Sequence, residues 1–309
     1  MEFGIGLPHL GALADPDAIR TVAIAAEAAG MSSVWAMDRL LRPVSPRTLG
    51  YPGTSDGRLP PAQHVVFDPL VTLTVAASVT ERMRLGTDVL VAPWYAPVPL
   101  ARSLAALDQL SRGRLTAGLG LGWSIDQFEA VGAPIAGRGQ RLEEILDVMR
   151  AVWTQSVVEI TTTRERTAPS AMGLKPAQLA GPPILLAATS PAGLDRIARR
   201  ADGWVPFGLP PEQIAAGWHH IRTRAAEAGC DSHELRLVVR TDPRCTDGTL
   251  GPTRPAFTGS CRQILADLDD LRTIGANEVI LDLHETAQTV DHLLHLAHDL
   301  SRPTLAAAA

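Results

Sequence analysis

Lysine is almost missing from this chain. Of 28 lysine and arginine residues only Lys175 is a lysine, and arginine supplies the rest of the positive charge. Together with abundant alanine and glycine, this is the composition of a GC-rich coding sequence. The net charge is −5, and no block of like charge or basic stripe stands out, so the electrostatic footprint of a nucleic-acid binder is missing. Cysteine is scarce as well: Cys230, Cys245 and Cys261 are scattered and odd in number. They make no C-x-x-C and no metal spacing, which predicts reduced thiols in a cytosolic protein. No apolar run approaches the ~20 residues of a membrane span. The opening MEFGIGLPHL reads as the start of a strand, without the basic segment and long apolar stretch of a signal peptide. These absences set the expectation of a cytoplasmic protein acting on a small molecule, with neither nucleic acid nor membrane as partner.

What is present is apolar and regular. Hydrophobic residues make up 46% of the 309 positions, ample for a large core. Short apolar runs at Phe3–Pro8, Ser32–Asp38, Arg84–Pro93, Arg114–Gly122, Pro183–Thr189, Gly203–Phe207, Leu235–Arg240 and Glu278–Leu283 read as strands buried on both faces. Helical patterns fall between them. Two open with Asp-Pro, at Asp15–Pro16 and Asp68–Pro69, a cap followed by proline in the first turn. Eight strands, each followed by a helix, predict an α/β fold, a (β/α)8 TIM barrel. Two long connections break the rhythm: Arg39 to Phe67 after strand 2, and Ser156 to Pro182 before strand 5, the latter holding a strand-like VVEITTT. Loops this long in a compact domain are usually functional or disordered, and the first leaves from the strand ends where barrel active sites sit. A single barrel domain is expected over residues 1–302, with a disordered tail at 303–309.

The stretch RGRLTAGLGLGW places glycines at Gly118, Gly120 and Gly122. A dinucleotide fingerprint requires a further glycine where Trp123 stands, and belongs in the first βα unit rather than the fourth. Glycines in a barrel strand instead leave room where a backbone or a flat ligand comes close. Trp123 then sits on the strand tip, facing whatever fills that room. After strand 5, AATSPAGLDR places a helix N-terminus at Thr189, Ser190 and Pro191, where free N–H groups and hydroxyls suit a phosphate as well as a cap. Trp94, Tyr95, Trp204 and Phe207 lie at strand ends and are expected to line an apolar substrate pocket. His219, His220, His292, His295 and His298 sit in helices, and no carboxylate completes a metal set there, so no metal is expected.

A longer stretch, DPLVTLTVAASVTERMRLGTDVLVAPWYAPVPLARSLAALDQLSRGRLTAGLGLGW, contains D-P-L, T-x-R-x-x-L-G-T-x-V, P-x-x-P-x-x-x-A, L-D-x-L-S-x-G-R and G-x-G-x-G-W in order. With AEAAGMSSVWAMD, SPAGLDRIARRADGWVP and GSCRQILADLDDLRTIGANEVIL, it resembles the bacterial-luciferase-like superfamily of flavin- and deazaflavin F420-dependent oxidoreductases. The likeness covers most of the chain and is weakest over the two long loops. It implies a luciferase-like barrel that binds F420 or FMN at its C-terminal mouth. It also implies a non-prolyl cis peptide in strand 3, carried over to Asp88–Val89, pressing on the ring system of the cofactor. By the same resemblance Asp38, Gly120, Gly122, Thr189 and Ser190 are cofactor-binding candidates, and pairing of barrels through helices near strands 2 to 4 implies a homodimer, for which Leu70, Leu73 and Leu104 are candidate faces.

Two departures from the family's pattern stand out. Many relatives have Asp-His at the end of strand 2, where this chain has Asp38–Arg39. Arginine stays protonated and shuttles no proton at neutral pH, but it binds anions. His9 after strand 1 and His64 late in the long loop are then the candidates to supply that proton chemistry. Sugar-phosphate dehydrogenases of the superfamily carry a glutamate after the strand-4 glycines, where this chain has Trp123, which argues against that activity. The expected function is F420-dependent hydride transfer to or from a small organic substrate with C=C, C=N or alcohol/carbonyl chemistry. The alternative is an FMNH2-dependent monooxygenase that uses O2 and a separate reductase, and a non-catalytic barrel is a third reading. The GC-rich composition and the likeness to short F420-type members favour the first.

Overall fold

The computed structural model describes residues 1–51, 54 and 56–301; the expected tail at 303–309 lies outside them. The two Asp-Pro helix starts follow from their local sequence. In helix α1 (Pro16–Ala28) the Asp15 side chain accepts from the backbone N–H groups of Asp17 and Ala18. In α2 (Pro69–Val79) Asp68 accepts from that of Val71. A cap of this kind is worth about 1 kcal/mol, and the proline after each gives up no hydrogen bond. Gly30, at φ +80°, takes the left-handed turn that ends α1. The remaining barrel helices are α3 (Pro97–Leu110), α4 (Arg138–Thr154), α5 (Pro191–Arg200), α6 (Pro211–Glu227), α7 (Cys261–Ile274) and α8 (Val290–Ser301).

Among the described residues eight parallel strands close a barrel: β1 (Glu2–Gly6), β2 (Ser33–Ala36), β3 (Arg84–Thr87), β4 (Leu115–Gly120), β5 (Ile184–Leu186), β6 (Gly203–Trp204), β7 (Arg236–Thr241) and β8 (Glu278–Leu281). The ring runs β3-β2-β1-β8-β7-β6-β5-β4, and pairing of Leu85 with Leu115 joins its ends. The (β/α)8 architecture is therefore as the sequence pattern predicts, including the insertion before β5. There Val157–Thr161 pairs antiparallel with Arg166–Ala171. Buried Arg141 on α4 holds that hairpin through Glu165, with 2.7 Å between Nη1 and Oε2.

Two apolar layers result. Between sheet and helices pack Val22, Leu73, Leu104, Ile145, Ile197 and Ile221, among others. Inside the barrel Trp35, Leu185, Val205, Val238 and Ile280 form a separate cluster, topped by Val89 and Ala187. At its lower end buried Glu278 gathers the strands. Its carboxylate accepts from Trp35 Nε1 at 3.0 Å, Arg84 at 2.7 Å, Arg236 at 3.1 Å and the Ser33 hydroxyl. This packing corrects two expectations. Leu73 and Leu104 are 0% exposed and cannot form a dimer face. Trp204 is 1% exposed. A Cβ on Gly217 of α6 would lie 2.5 Å from the Trp204 ring, so that tryptophan fills the sheet–helix layer and not a pocket.

Candidate active site

The C-terminal ends of the strands open into a cavity of ≈ 710 Å³. Strand β2 sends Met37, Asp38 and Arg39 to its wall, and the long loop that follows adds Gly50 and Tyr51. Strand β3 breaks at Asp88–Val89, whose peptide bond is cis, and Leu90–Val91 then rejoins the sheet beside Leu119 and Gly120. The strand-4 glycines exist for this break. A Cβ on Gly118 would stand 1.9 Å from the Thr87 carbonyl oxygen, and one on Gly120 would stand 2.7 Å from a Val89 methyl. At Gly122, where φ is +68°, a Cβ would meet Val91 at 2.5 Å. The room they leave is thus filled from within by β3. Gly120 and Gly122 border the cavity beside Trp123, while Val89, Ala187 and Val205 line it from the barrel interior.

Charge is concentrated on the β2, β3, β7 and β8 side. Asp38 is buried, and its Oδ2 accepts from Val91 N–H at 3.1 Å and the Tyr95 hydroxyl at 2.9 Å. Burial nevertheless raises its pKa to about 6. Asp88 is raised to about 7, again by burial, against the pull of Arg240, and its Oδ1 has no hydrogen-bond partner. Arg240 Nε lies 3.5 Å from Asp88 Oδ2 and 3.7 Å from Asp242, while Nη2 pairs with Asp282. Its guanidinium sits 4.3 Å over the Phe207 ring. Asp282 also holds His284 Nδ1, and the Leu7 carbonyl accepts from Nε2 at 2.6 Å. Burial opposes a charge on His284, but Asp282 and that carbonyl outweigh it and raise its pKa. With an acceptor at each nitrogen, the imidazolium is the form this geometry fits.

The opposite arc is a set of donors. Thr189 and Ser190 border the cavity at the start of α5, where the Ser190 hydroxyl accepts from Gly193 N–H at 3.3 Å. Arg138 opens α4 with a buried Nε that has no partner. Between the two sides, Trp94 after β3 and Gln127 after β4 each carry a buried, unpartnered N–H donor on the cavity wall. The loop after β2 is clasped to the short helix Ile125–Ala130 that follows β4. Leu40 N–H donates to Gln127 Oε1 at 3.1 Å, Arg47 N–H to Asp126 at 3.1 Å, and Ile125 N–H to Thr48 Oγ1 at 3.2 Å.

A family model described as luciferase-like monooxygenase matches residues 1–248. This chain belongs to that family. An uncharacterised protein of Mycobacterium tuberculosis (strain H37Rv) is 36% identical over 181 residues, 58% of this chain and 64% of its own length. The match thus spans less than two thirds of that relative. The FMNH2-dependent dimethylsulfone monooxygenase of Pseudomonas putida is 30% identical over 163 residues, 52% of this chain and 44% of its own. Among solved structures, a monooxygenase from Streptomyces bottropensis superposes with TM-score 0.76 at 22% identity, over 97% of this chain and 98% of its own. An F420-dependent secondary alcohol dehydrogenase in complex with an F420–acetone adduct gives 0.77 at 15% identity, over 98% and 99%. At these identities the structures show the shared fold. No helix among the described residues is long and apolar enough to cross a membrane.

As a member of the luciferase-like family the chain gathers most of its sequence-predicted residues at one mouth: Asp38, Arg39, Asp88, Val89, Trp94, Gly120, Gly122, Trp123, Thr189, Ser190 and Phe207 all border the cavity. Tyr95 stands outside the wall and reaches it through Asp38. Asp38 and Arg39 do not pair with each other; Arg39 Nε donates to Gln63 instead, at 3.1 Å. Both histidine candidates are corrected. His9 is 1% exposed, with Nδ1 2.7 Å from the Leu7 carbonyl and Nε2 3.1 Å from the Met37 amide, and burial lowers its pKa to about 4. It is a neutral structural clamp between β1 and β2. His64 is exposed, bonded to Pro61 in its own turn and away from the cavity wall. The sequence reading missed Arg240, Asp242, Asp282 and His284. Their signal was available: charged residues at the C-terminal ends of the last two strands of a barrel.

Proposed function

We propose that this protein is an F420-dependent oxidoreductase, moving a hydride between deazaflavin C5 and a small organic substrate. What carries this reading is a cavity bordered by apolar Val89, Ala187 and Val205 and faced by two buried carboxyl groups, Asp38 and Asp88. The residues fit such a cofactor. The three apolar side chains suit a rigid tricycle, and Thr189, Ser190 and the orphaned Arg138 Nε suit its phosphate. When bound, the deazaflavin supplies the hydride chemistry. The protein's own task is then the proton. Reduction of C=O, C=N or C=C leaves an atom that must be protonated, and an acid with a pKa close to the working pH does this best. Asp88 Oδ1 has no competing partner, and Asp38 keeps Oδ1 for a proton while Oδ2 is held by Val91 and Tyr95. Tyr95 and Val91 fix the direction in which Asp38 presents it.

The likeness to the Pseudomonas putida enzyme supports a second reading, an FMNH2-dependent monooxygenase fed by a separate reductase. One pair of measurements separates them. Titration with F420 and with FMN is expected to show tighter binding of F420. Anaerobic incubation of the reduced deazaflavin with a panel of enones, imines and ketones is expected to give its oxidation. Tighter FMN binding, with turnover that requires O2, overturns the first reading in favour of the second.

A further inference from the structure

Three arginines border the cavity, Arg39, Arg138 and Arg240. Arg240 is surrounded by Asp88, Asp242 and Asp282. Arg39 has no carboxylate within ion-pair distance among the described residues; its hydrogen bond goes to the neutral Gln63, and its guanidinium stands 5.8 Å from the Tyr51 ring. The adjoining wall repeats the imbalance. Gln127 is 0% exposed, and its Oε1 is taken by Leu40 N–H, the residue after Arg39, so Nε2 is left as a donor without an acceptor. Trp94 packs edge-on against Phe128, the residue after Gln127, with ring centroids 6.1 Å apart, and its Nε1 is a second such donor. Buried polar groups are nearly always satisfied. A positive charge and two orphaned donors on linked segments ask for a ligand that brings acceptors and negative charge.

The Arg39 end of this corner is distinct from the phosphate-compatible start of α5 at Ser190. Arg39 follows β2, whereas Ser190 follows β5, three strands away around the ring. Beside Arg39 stands an aromatic wall: the Tyr51 ring is 6.5 Å from Trp123 and 5.9 Å from Phe207. We propose that Arg39, Gln127 and Trp94 bind the carboxylate of the substrate, and that its flat, unsaturated body lies along Tyr51, Trp123 and Phe207. The substrate class is then an unsaturated or carbonyl-bearing carboxylic acid, an identification that rests on the oxidoreductase reading above. A planar guanidinium matches a carboxylate in two parallel hydrogen bonds. An anion held there also favours the protonated form of the neighbouring Asp38, the form that delivers a proton.

The test is calorimetric titration of the protein, with and without F420, using cinnamate and methyl cinnamate as probes. Cinnamate is expected to bind at least about tenfold more tightly than the ester, the step that a single charge-assisted hydrogen bond provides. Gln127→Glu keeps the acceptor for Leu40 and replaces the free donor by a negative charge; it is expected to abolish the preference. Arg39→Gln is expected to do the same, and both variants are expected to bind F420 as the parent does. Equal binding of acid and ester by the parent overturns the proposal, and so does a preference that survives both substitutions. A loss of F420 affinity in Arg39→Gln also overturns it, by assigning that arginine to the cofactor. Absence of F420 binding by the parent itself counts instead against the oxidoreductase reading.

Discussion

Tyr95 acts on the cavity through a single atom. Its hydroxyl donates to Asp38 Oδ2, and this bond lowers a pKa that burial has raised to about 6. Tyr95→Phe removes the bond and keeps the ring, so the Asp38 pKa rises. The expected result is an upward displacement of that limb of the kcat/KM against pH profile by about one unit, the size of one hydrogen bond to a charged group. The deeper cluster gives a prediction about stability. Asp88 and Asp242 are each raised to about 7, in both cases by burial first. Between the ordinary aspartate value of about 3.9 and those values the native state binds more protons than the unfolded chain. Stability therefore falls as pH rises through this window. Asp282 and His284 shift the other way, downward and upward, and each favours the charged pair. The Asp282 contribution is lost only in acid, and that of His284 as pH rises through its raised value. Buried His9, lowered to about 4, opposes this by adding stability as pH rises toward the ordinary histidine value, but the raised aspartates outnumber it. Urea midpoints are expected to decline from about pH 5 to about pH 7, and Asp88→Asn is expected to flatten the decline. An unchanged slope in that variant places the titration elsewhere.

At the scale of elements, the strand-4 glycines and the room they leave were visible at once, but whether a backbone or a flat ligand fills it was not. Periodicity and Asp-Pro starts placed the eight strands and the helices between them, because both depend on neighbours along the chain. What a glycine makes room for depends on which strand lies beside it, and that is settled only when β3 docks on β4. A Cβ at position 120 meets a Val89 methyl at 2.7 Å. Gly120→Val is thus expected to push the β3 break toward the cavity. The variant should lose about 1–3 kcal/mol, the usual cost of overpacking, and cofactor affinity should fall with it. Thermal denaturation and F420 titration check both; a melting temperature equal to the parent's shows that Val89 yields without cost. The same reasoning explains which site residues were legible. Asp38 and Asp88 end strands inside recognisable motifs, and Phe207 directly follows one. Arg240, Asp282 and His284 appear in VVRTD and LDLHE as isolated charges, and Arg240 meets Asp282 only when β7 lies beside β8. His9 and His64 were chosen as loop histidines, and the sequence carries no sign that the first is sealed beneath the mouth.

For the molecule as a whole, closure of the ring has its own electrostatic tie. Glu278 on β8 joins Arg84 of β3, Arg236 of β7 and the side chains of Ser33 and Trp35 on β2, at the end of the barrel away from the cavity. Glu278→Gln keeps the shape and removes the charge. A loss of about 2 kcal/mol is expected, because both arginines retain the half-exposed Glu2, and ligand binding at the far end should not change. Denaturant unfolding and cofactor titration together test this division between the two ends. A homodimer is proposed as the solution state. With Leu73 and Leu104 internal and Leu70 partly buried, the most exposed large apolar side chains of the two helices are Val71 on α2, 63% exposed, and Leu110 at the end of α3, 66% exposed. Light scattering at micromolar concentration is expected to give twice the chain mass, and Val71→Asp with Leu110→Asp to give the monomer; a monomeric parent removes the proposal.

The clasp between the loop after β2 and the short helix after β4 has a consequence for descent. The side chains of Gln127, Asp126 and Thr48 accept from the backbone N–H groups of Leu40, Arg47 and Ile125, so losing one of these three acceptors in either segment leaves a donor of the other unpaired. The two stretches are separated by much of a half-barrel in sequence, and they are expected to vary together. A graft that carries only the long loop into another barrel transfers half a lock, whereas a graft that carries both should move substrate preference and leave the host's cofactor chemistry in place.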